Sequence, residues 1–315
     1  MLSAREIKGC YVALITPMRE VMGDWLIDFE RFYKQIEAVI DAGCPGIVIA
    51  GTTGQSATLS HSEHIELVTR GSVHARVHAE KQGRQVHVIG SAGSNSTRES
   101  VYLMQSIARE ARVDAYLHVT GYYNNPPQEG LLRHYRTVAD EAARHDTAVV
   151  MYNVPGRTAS NIAAETCIEL AEHPAIIAVK EASGDMDQVQ RILDGTDRSA
   201  FAVTSGEDHL VAEIMRRGGT GVISASANRW PREFQRLTEL ALAGEHRKAA
   251  ELQEALMPCV KAVFCVKNPI PLHHMFGSGI RVPLVPVEEL NPETRRHAEE
   301  AITQALAIQS FPHVD

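Results

Sequence analysis

Cysteine is scarce. Cys10, Cys44, Cys167, Cys259 and Cys265 are the only five in 315 residues, an odd set without a CxxC pair. Such a set supplies neither a disulfide framework nor a zinc knuckle, and a reduced cytoplasmic setting is expected. Positive charge is also short: 31 Lys and Arg stand against 39 Asp and Glu, a formal net charge of −8. No basic block breaks the mixture, so the sequence offers no broad nucleic-acid or anionic-membrane face. The longest apolar stretches, such as 46–50 and 148–152, fall far short of the ~20 residues that cross a bilayer. Residues 1–10 alternate charged and apolar side chains and show no signal-peptide core. GxGxxG, a Walker lysine loop and a GxSxG elbow are all missing, which weakens nucleotide-binding and serine-hydrolase readings.

What the chain does have is a core's worth of apolar residues, 44% hydrophobic against 22% charged. Short runs rich in Val, Ile and Ala recur at 12–16, 46–51, 86–90, 115–120, 148–153, 176–180, 200–205 and 221–224. None alternates strictly with polar residues, as expected of parallel strands buried on both faces. Between them lie helical stretches. Residues 29–42 put Phe32, Ile36, Val39 and Ile40 on one stripe and stop at Gly43; residues 96–112 put Val101, Met104, Ile107 and Ala108 on another. Eight such units fit a (β/α)8 TIM barrel, an α/β fold, although the spacing also tolerates an open doubly wound sheet. After Trp230-Pro231 the strand signal vanishes; residues 233–266 and 292–309 are helical in composition, separated by a Pro/Gly-rich stretch over 268–286. The expected organisation is a barrel over 1–240 carrying the active site and a C-terminal helical appendage over 241–315.

In a parallel barrel the chemistry sits where strands end. Of the seven lysines, only Lys180 closes a strand-like run, Ile176-Ile177-Ala178-Val179-Lys180. Burial there favours the neutral amine that a Schiff-base nucleophile needs. The alternative is a lysine that snorkels to the rim or pairs with Glu181, although strand alternation points those neighbours to opposite sides. The loop Gly51-Thr52-Thr53-Gly54-Gln55-Ser56 combines glycines with hydroxyls, suited either to cradling a carboxylate or phosphate or simply to turning from strand to helix. Tyr152-Asn153-Val154-Pro155-Gly156-Arg157-Thr158 places a phenol and a guanidinium after the fifth run. A guanidinium there can clamp a carboxylate and the phenol can move a proton; a packed aromatic and a solvated charge are the plain alternatives. Thr120-Gly121-Tyr122-Tyr123-Asn124 ends the fourth run with two loop phenols, the residue type of interface anchors.

Together these segments resemble the pyruvate-dependent class I aldolases of the dihydrodipicolinate synthase and N-acetylneuraminate lyase type. The resemblance runs from Ala13-Leu14-Ile15-Thr16-Pro17 to Asn268-Pro269-Ile270-Pro271 and includes GTTG, GYYN, YNVPGRT, VKEASG, SGED and GVIS in the family's order. It implies that Lys180 forms a Schiff base with pyruvate, with no other cofactor, and that Thr52 and Thr53 hold the pyruvate carboxylate. Thr53, Tyr123 and Tyr152 match a proton-relaying set of hydroxyls, Tyr123 reaching into a neighbouring subunit's site. Arg157 matches the residue that receives the carboxylate of L-aspartate 4-semialdehyde, which favours the lysine-biosynthetic synthase branch over lyases of 2-keto-3-deoxy sugar acids. Gly206 and Ile223 match contacts around pyruvate. A homotetramer built from two tight dimers is implied.

The resemblance also implies an L-lysine effector site at the tight-dimer interface, made by Ser56, Ala57, His61, His64, Asn95, Glu99 and Tyr122. Taken alone, His61 and His64 have the spacing of a metal pair, but no third ligand accompanies them and no metal is expected; a helix start capped by Ser60 or Ser62 is the simpler reading. Gln55 stands where the family commonly has Glu, and Gly121 replaces a usual proline. A barrel that binds pyruvate or lysine without turnover is the reading from another class, and the full set Thr53, Tyr123, Tyr152, Arg157 and Lys180 argues against it.

Overall fold

The computed structural model describes residues 1–314; Asp315, the last residue of the expected appendage, lies outside the described residues. Ten strands run β1 Gly9–Ala13, β2 Met18–Val21, β3 Asp24–Ile27, β4 Gly46–Ile49, β5 His87–Ser91, β6 Ala115–Val119, β7 Ala148–Asn153, β8 Ile176–Glu181, β9 Ala202–Ser205 and β10 Gly221–Ser224. Eight of them close into a parallel barrel in the order β1-β10-β9-β8-β7-β6-β5-β4. The closed barrel is borne out and the open sheet is not. Closure leaves no unpaired edge, so every strand can be apolar on both faces without inviting another chain to add to it. At the seam Gly9 pairs with Gly221, where a Cβ on Gly221 would stand 2.1 Å from the Gly9 carbonyl oxygen.

Helices cover the outside: α1 Phe29–Asp41, α2 His61–Lys81, α3 Thr97–Glu110, α4 Gln128–Arg144, α5 Pro155–Thr158, α6 Ala164–Ala171, α7 Met186–Gly195, α8 Val211–Arg217 and α9 Pro231–Leu242. Their starts are written locally. Asp28 accepts from the Arg31 backbone N–H, Ser60 and Glu63 form a reciprocal capping box, and Ser96 and Asp185 cap α3 and α7. Helix α1 buries the expected Phe32, Ile36, Val39 and Ile40. Helix α3 is rotated slightly from the expected stripe: Leu103, Met104 and Ile107 are buried, whereas Val101 and Ala108 are only half-buried.

The barrel interior is a separate apolar layer. Tyr11, Val48, Ile89, Leu117, Val150, Ile177 and Ile223 fill it, and Leu2, Ala4 and Ile7 join from the N-terminal segment. The Tyr11 hydroxyl lies 2.7 Å from His87 Nδ1 and donates to the Glu6 carbonyl at 3.1 Å. One end is thereby packed shut, and the open end is where the strands finish.

Two features depart from the expected elements. An antiparallel ribbon, β2 with β3, follows β1 outside the barrel. The helical stretch after Trp230 breaks at Gly244, which has φ of +78°, giving α9 and a separate α10 His246–Phe264; α11 Ile270–Met275 and α12 Pro292–Leu306 complete the chain. Helix α10 packs on α8, α9 and α12, and Ile270, Ile280, Val287, Ala298 and Ile302 form a small core of their own. Arg281 ties this region back: its guanidinium bonds the Trp25 carbonyl at 2.7 Å and Glu63 at 2.6 Å.

Candidate active site

At the open end lies a cavity of about 930 Å³, walled by the strand ends on one side and by α10 and α12 on the other. Lys180 enters it from β8, 7% exposed. Tyr152 of β7 is its register partner, so the two side chains project from one level of the barrel, and Lys180 Nζ sits 4.2 Å from the centre of the Tyr152 ring. Burial pulls the ammonium down to about 8, with Asp208 opposing that shift and Arg157 adding to it. Roughly one molecule in ten therefore carries the neutral amine at pH 7. Burial moves the Tyr152 phenol the other way, up to about 12, against the opposing influence of Arg157 and the nearby Thr52 hydroxyl. The phenol keeps its proton and can donate.

Glu181, the alternative partner for Lys180, is buried on the opposite side of the strand. It accepts from Asn153 Nδ2 at 3.1 Å, the Ser183 backbone at 2.7 Å and Gln188 Nε2 at 3.3 Å. Neither snorkelling nor a rim ion pair describes Lys180.

Thr52, Thr53, Arg157, Gly206 and Ile223 line the same cavity. Gly206 has a packing reason to be glycine: a Cβ there would lie 3.0 Å from Lys180 Cγ and 2.8 Å from Ala182 Cβ. Tyr123 lies outside the cavity, 93% exposed on a residue with φ of +71°.

Two residues of the site escaped the sequence reading. Asn268 donates from Nδ2 to Thr53 Oγ1 at 3.0 Å, and its carbonyl accepts from Arg157 Nη2 at 3.3 Å. With its oxygen occupied as an acceptor, the Thr53 hydroxyl is left to donate. Asp208, the last residue of SGED, is buried and lines the same cavity as Lys180. Asp208 had a signal, a carboxylate closing a strand-end turn in SGED; Asn268 had none of that kind.

Gln55 has left-handed backbone, φ +58°. Its Nε2 lies 3.0 Å from His273 Nε2, and its Oε1 accepts from the Arg281 backbone at 3.1 Å. Burial holds His273 down at about 4, hence neutral. An amide brings a donor to one contact and an acceptor to the other, where a carboxylate would bring acceptors only.

None of the expected effector residues lines the cavity. Ser56 and Ala57 begin a short 3-10 turn, Asn95 Oδ1 accepts from the Tyr122 backbone at 3.0 Å, and His61 Nε2 stands 2.6 Å from Glu99. His64 is buried, its Nε2 2.7 Å from the Ser91 carbonyl oxygen. The two histidines thus have different partners, and among the described residues no group of three or more His, Cys, Asp or Glu is placed to hold a metal. No helix among them is long and apolar enough to cross a membrane.

The family model of the dihydrodipicolinate synthetase family matches residues 6–305. The chain belongs to that family. Its similarity to 4-hydroxy-tetrahydrodipicolinate synthase of Pseudomonas putida is 41% identity over 289 residues, 90% of this chain and 94% of the relative. To the synthase of Methanospirillum hungatei it is 37% over 300 residues, 94% and 99% of the two chains. Among solved structures, that of DHDPS from Cyanidioschyzon merolae with lysine bound superposes with TM-score 0.85 at 33% identity, covering 96% of this chain and 99% of that one. The chloride-inhibited dihydrodipicolinate synthase of Acinetobacter baumannii complexed with pyruvate superposes with TM-score 0.83 at 34% identity, covering 96% and 100%. Within the dihydrodipicolinate synthetase family, then, the similarity extends over the barrel and the C-terminal helices together.

Proposed function

We propose that this member of the family is a 4-hydroxy-tetrahydrodipicolinate synthase, a lyase that condenses pyruvate with L-aspartate 4-semialdehyde through a Schiff base on Lys180, in lysine (diaminopimelate) biosynthesis. The observation that carries the reading is a buried lysine held against a phenol in one cavity with two threonines and an arginine. Thr52 and Thr53 bind the pyruvate carboxylate. Neutral Lys180 attacks the ketone, water leaves, and loss of a methyl proton gives an enamine whose carbon adds to the aldehyde. The substrate's own amine then closes the ring and displaces Lys180. Tyr152 and Thr53 carry protons between these steps, with Tyr123 completing the relay from a second copy of the chain.

Steady-state assays with pyruvate and each aldehyde test the substrate assignment; a clear preference for a sugar-derived aldehyde would overturn it. The exposure of Tyr123 supports its use across a subunit boundary, and a complementation experiment checks that use. Tyr123→Phe and Lys180→Ala proteins, each nearly inactive alone, are expected to regain activity when mixed and reassociated. In a hybrid dimer one site holds the intact lysine together with the intact tyrosine of the other copy. Absence of any recovery in verified hybrids would place Tyr123 in its own subunit's site or outside catalysis.

L-lysine is the proposed effector, received by the His61, Glu99, Asn95 and Tyr122 cluster, where the Glu99 carboxylate meets an ammonium. The assembly is proposed to be a homotetramer of two tight dimers.

A further inference from the structure

Asp208 carries more chemistry than the mechanism above uses. It is 1% exposed and lines the Lys180 cavity. Its backbone is pinned from α10, where Gln253 Nε2 donates to the Asp208 carbonyl at 3.0 Å while Gln253 Oε1 accepts from the Ala212 backbone at 3.3 Å. Its side chain is pinned from the 3-10 turn Ser226–Asn228 that follows β10, where the Ser226 backbone donates to Oδ2 at 2.7 Å. The other oxygen, Oδ1, is buried with no hydrogen-bond partner. A buried carboxylate oxygen left without a partner is costly and wants a cation or a donor. The cation its charge acts on is Lys180 of β8; Tyr152 of β7 and Cys10 of β1 are the other buried titratable groups that feel it, Glu207 adjoins it in the chain, and α10 contributes only the neutral Gln253.

We propose that Asp208 is a positioning residue for imine formation, the fixed counter-charge for the positive nitrogen that appears on Lys180 when the ketone becomes an iminium. The neutral amine forms the N–C bond as the carbonyl π pair moves to oxygen, and a proton passes from nitrogen to oxygen to give a neutral carbinolamine. One further proton is then taken up, the C–O bond breaks, and water leaves. The sum is amine plus ketone plus H⁺ to iminium plus water, so relative to the neutral amine the step ends with one new positive charge, on a nitrogen largely buried from solvent. Preorganised opposite charge is most effective where water is excluded. Burial raises the Asp208 carboxyl above the usual range, opposed by the Ser226 backbone bond and by the charge of Lys180.

This inference rests on the aldolase reading, and its test separates the two. Asp208→Asn keeps an acceptor for the Ser226 backbone and removes the charge. Borohydride trapping of pyruvate on the variant is expected to show two changes. The rising limb of the pH profile moves to lower pH, since Lys180 loses the group that favoured its ammonium, and the trapping rate at the plateau falls roughly tenfold, equivalent to about one pKa unit of lost charge stabilisation. A purely structural role would reduce the amount of folded protein without moving the limb, and an unchanged limb and plateau overturn the proposal. A second variant guards against misfolding: Asp208→Glu keeps the charge and is expected to leave the limb near its unaltered position and to recover part of the plateau rate, and if it behaves like Asp208→Asn the proposal fails. If the unaltered protein forms no adduct at all, the aldolase reading fails instead.

Discussion

Lys180→Ala protein incubated with pyruvate and borohydride is expected to give no adduct at position 180, and its kcat is expected to fall on the order of 10⁴-fold or more, the scale on which loss of a nucleophile shows in other covalent enzymes. The size of the effect follows from what surrounds the amine. Lys180 is buried in the cavity and shifted down to about 8, which leaves it a useful fraction of neutral amine near pH 7. The two other lysines that line it, Lys261 and Lys267, are exposed. In the unaltered protein the adduct should form faster as pH rises towards about 8, because deprotonation supplies the nucleophile, and level off above it. Intact mass and peptide mapping after reduction measure both points. An adduct of undiminished yield in the variant would remove Lys180 from the chemistry.

The lysine was legible because its signal is local: a polar residue closing an apolar strand has few physical excuses. The same locality explains the errors of range. The first apolar run was read as residues 12–16, yet β1 covers Gly9–Ala13, because Leu14 and Ile15 remain buried after the strand ends and composition does not separate a buried loop from a strand. The ribbon of β2 and β3 was missed since Met18–Val21 has exposed polar residues and no apolar run. Asn268 shows the harder limit. Its bonds reach Thr53 across 215 positions and Arg157 across 111, and no pattern within the Pro/Gly-rich segment encodes such a contact. For the same reason the share of α10 and α12 in walling the cavity was invisible, although their helical character was not.

Arg157→Ala is expected to separate the two substrates. Arg157 lines the cavity from α5, held by its Pro155 start and by one bond from Nη2 to the Asn268 carbonyl at 3.3 Å. A single long bond to a neutral carbonyl leaves most of the guanidinium's donors for a ligand, and the planar fork matches a carboxylate. Two parallel charge-assisted bonds from this exposed guanidinium are worth about 3 kcal/mol, so kcat/KM for the semialdehyde should fall by roughly 10²-fold. Imine formation with pyruvate should persist, because Lys180, Thr52 and Thr53 are untouched. It should even shift slightly, for Arg157 is one of the groups that push the Lys180 ammonium down: without it the amine pKa rises, and the limb of the trapping profile moves to higher pH, opposite in sign to the shift expected of Asp208→Asn. Measuring trapping and turnover on the same preparation therefore distinguishes a lost carboxylate clamp from a damaged fold. A damaged fold lowers both, whereas loss of the clamp lowers turnover alone. Equal turnover with and without the arginine would leave the semialdehyde carboxylate to be held elsewhere in the cavity, and would weaken the preference for the synthase over the sugar-acid lyases.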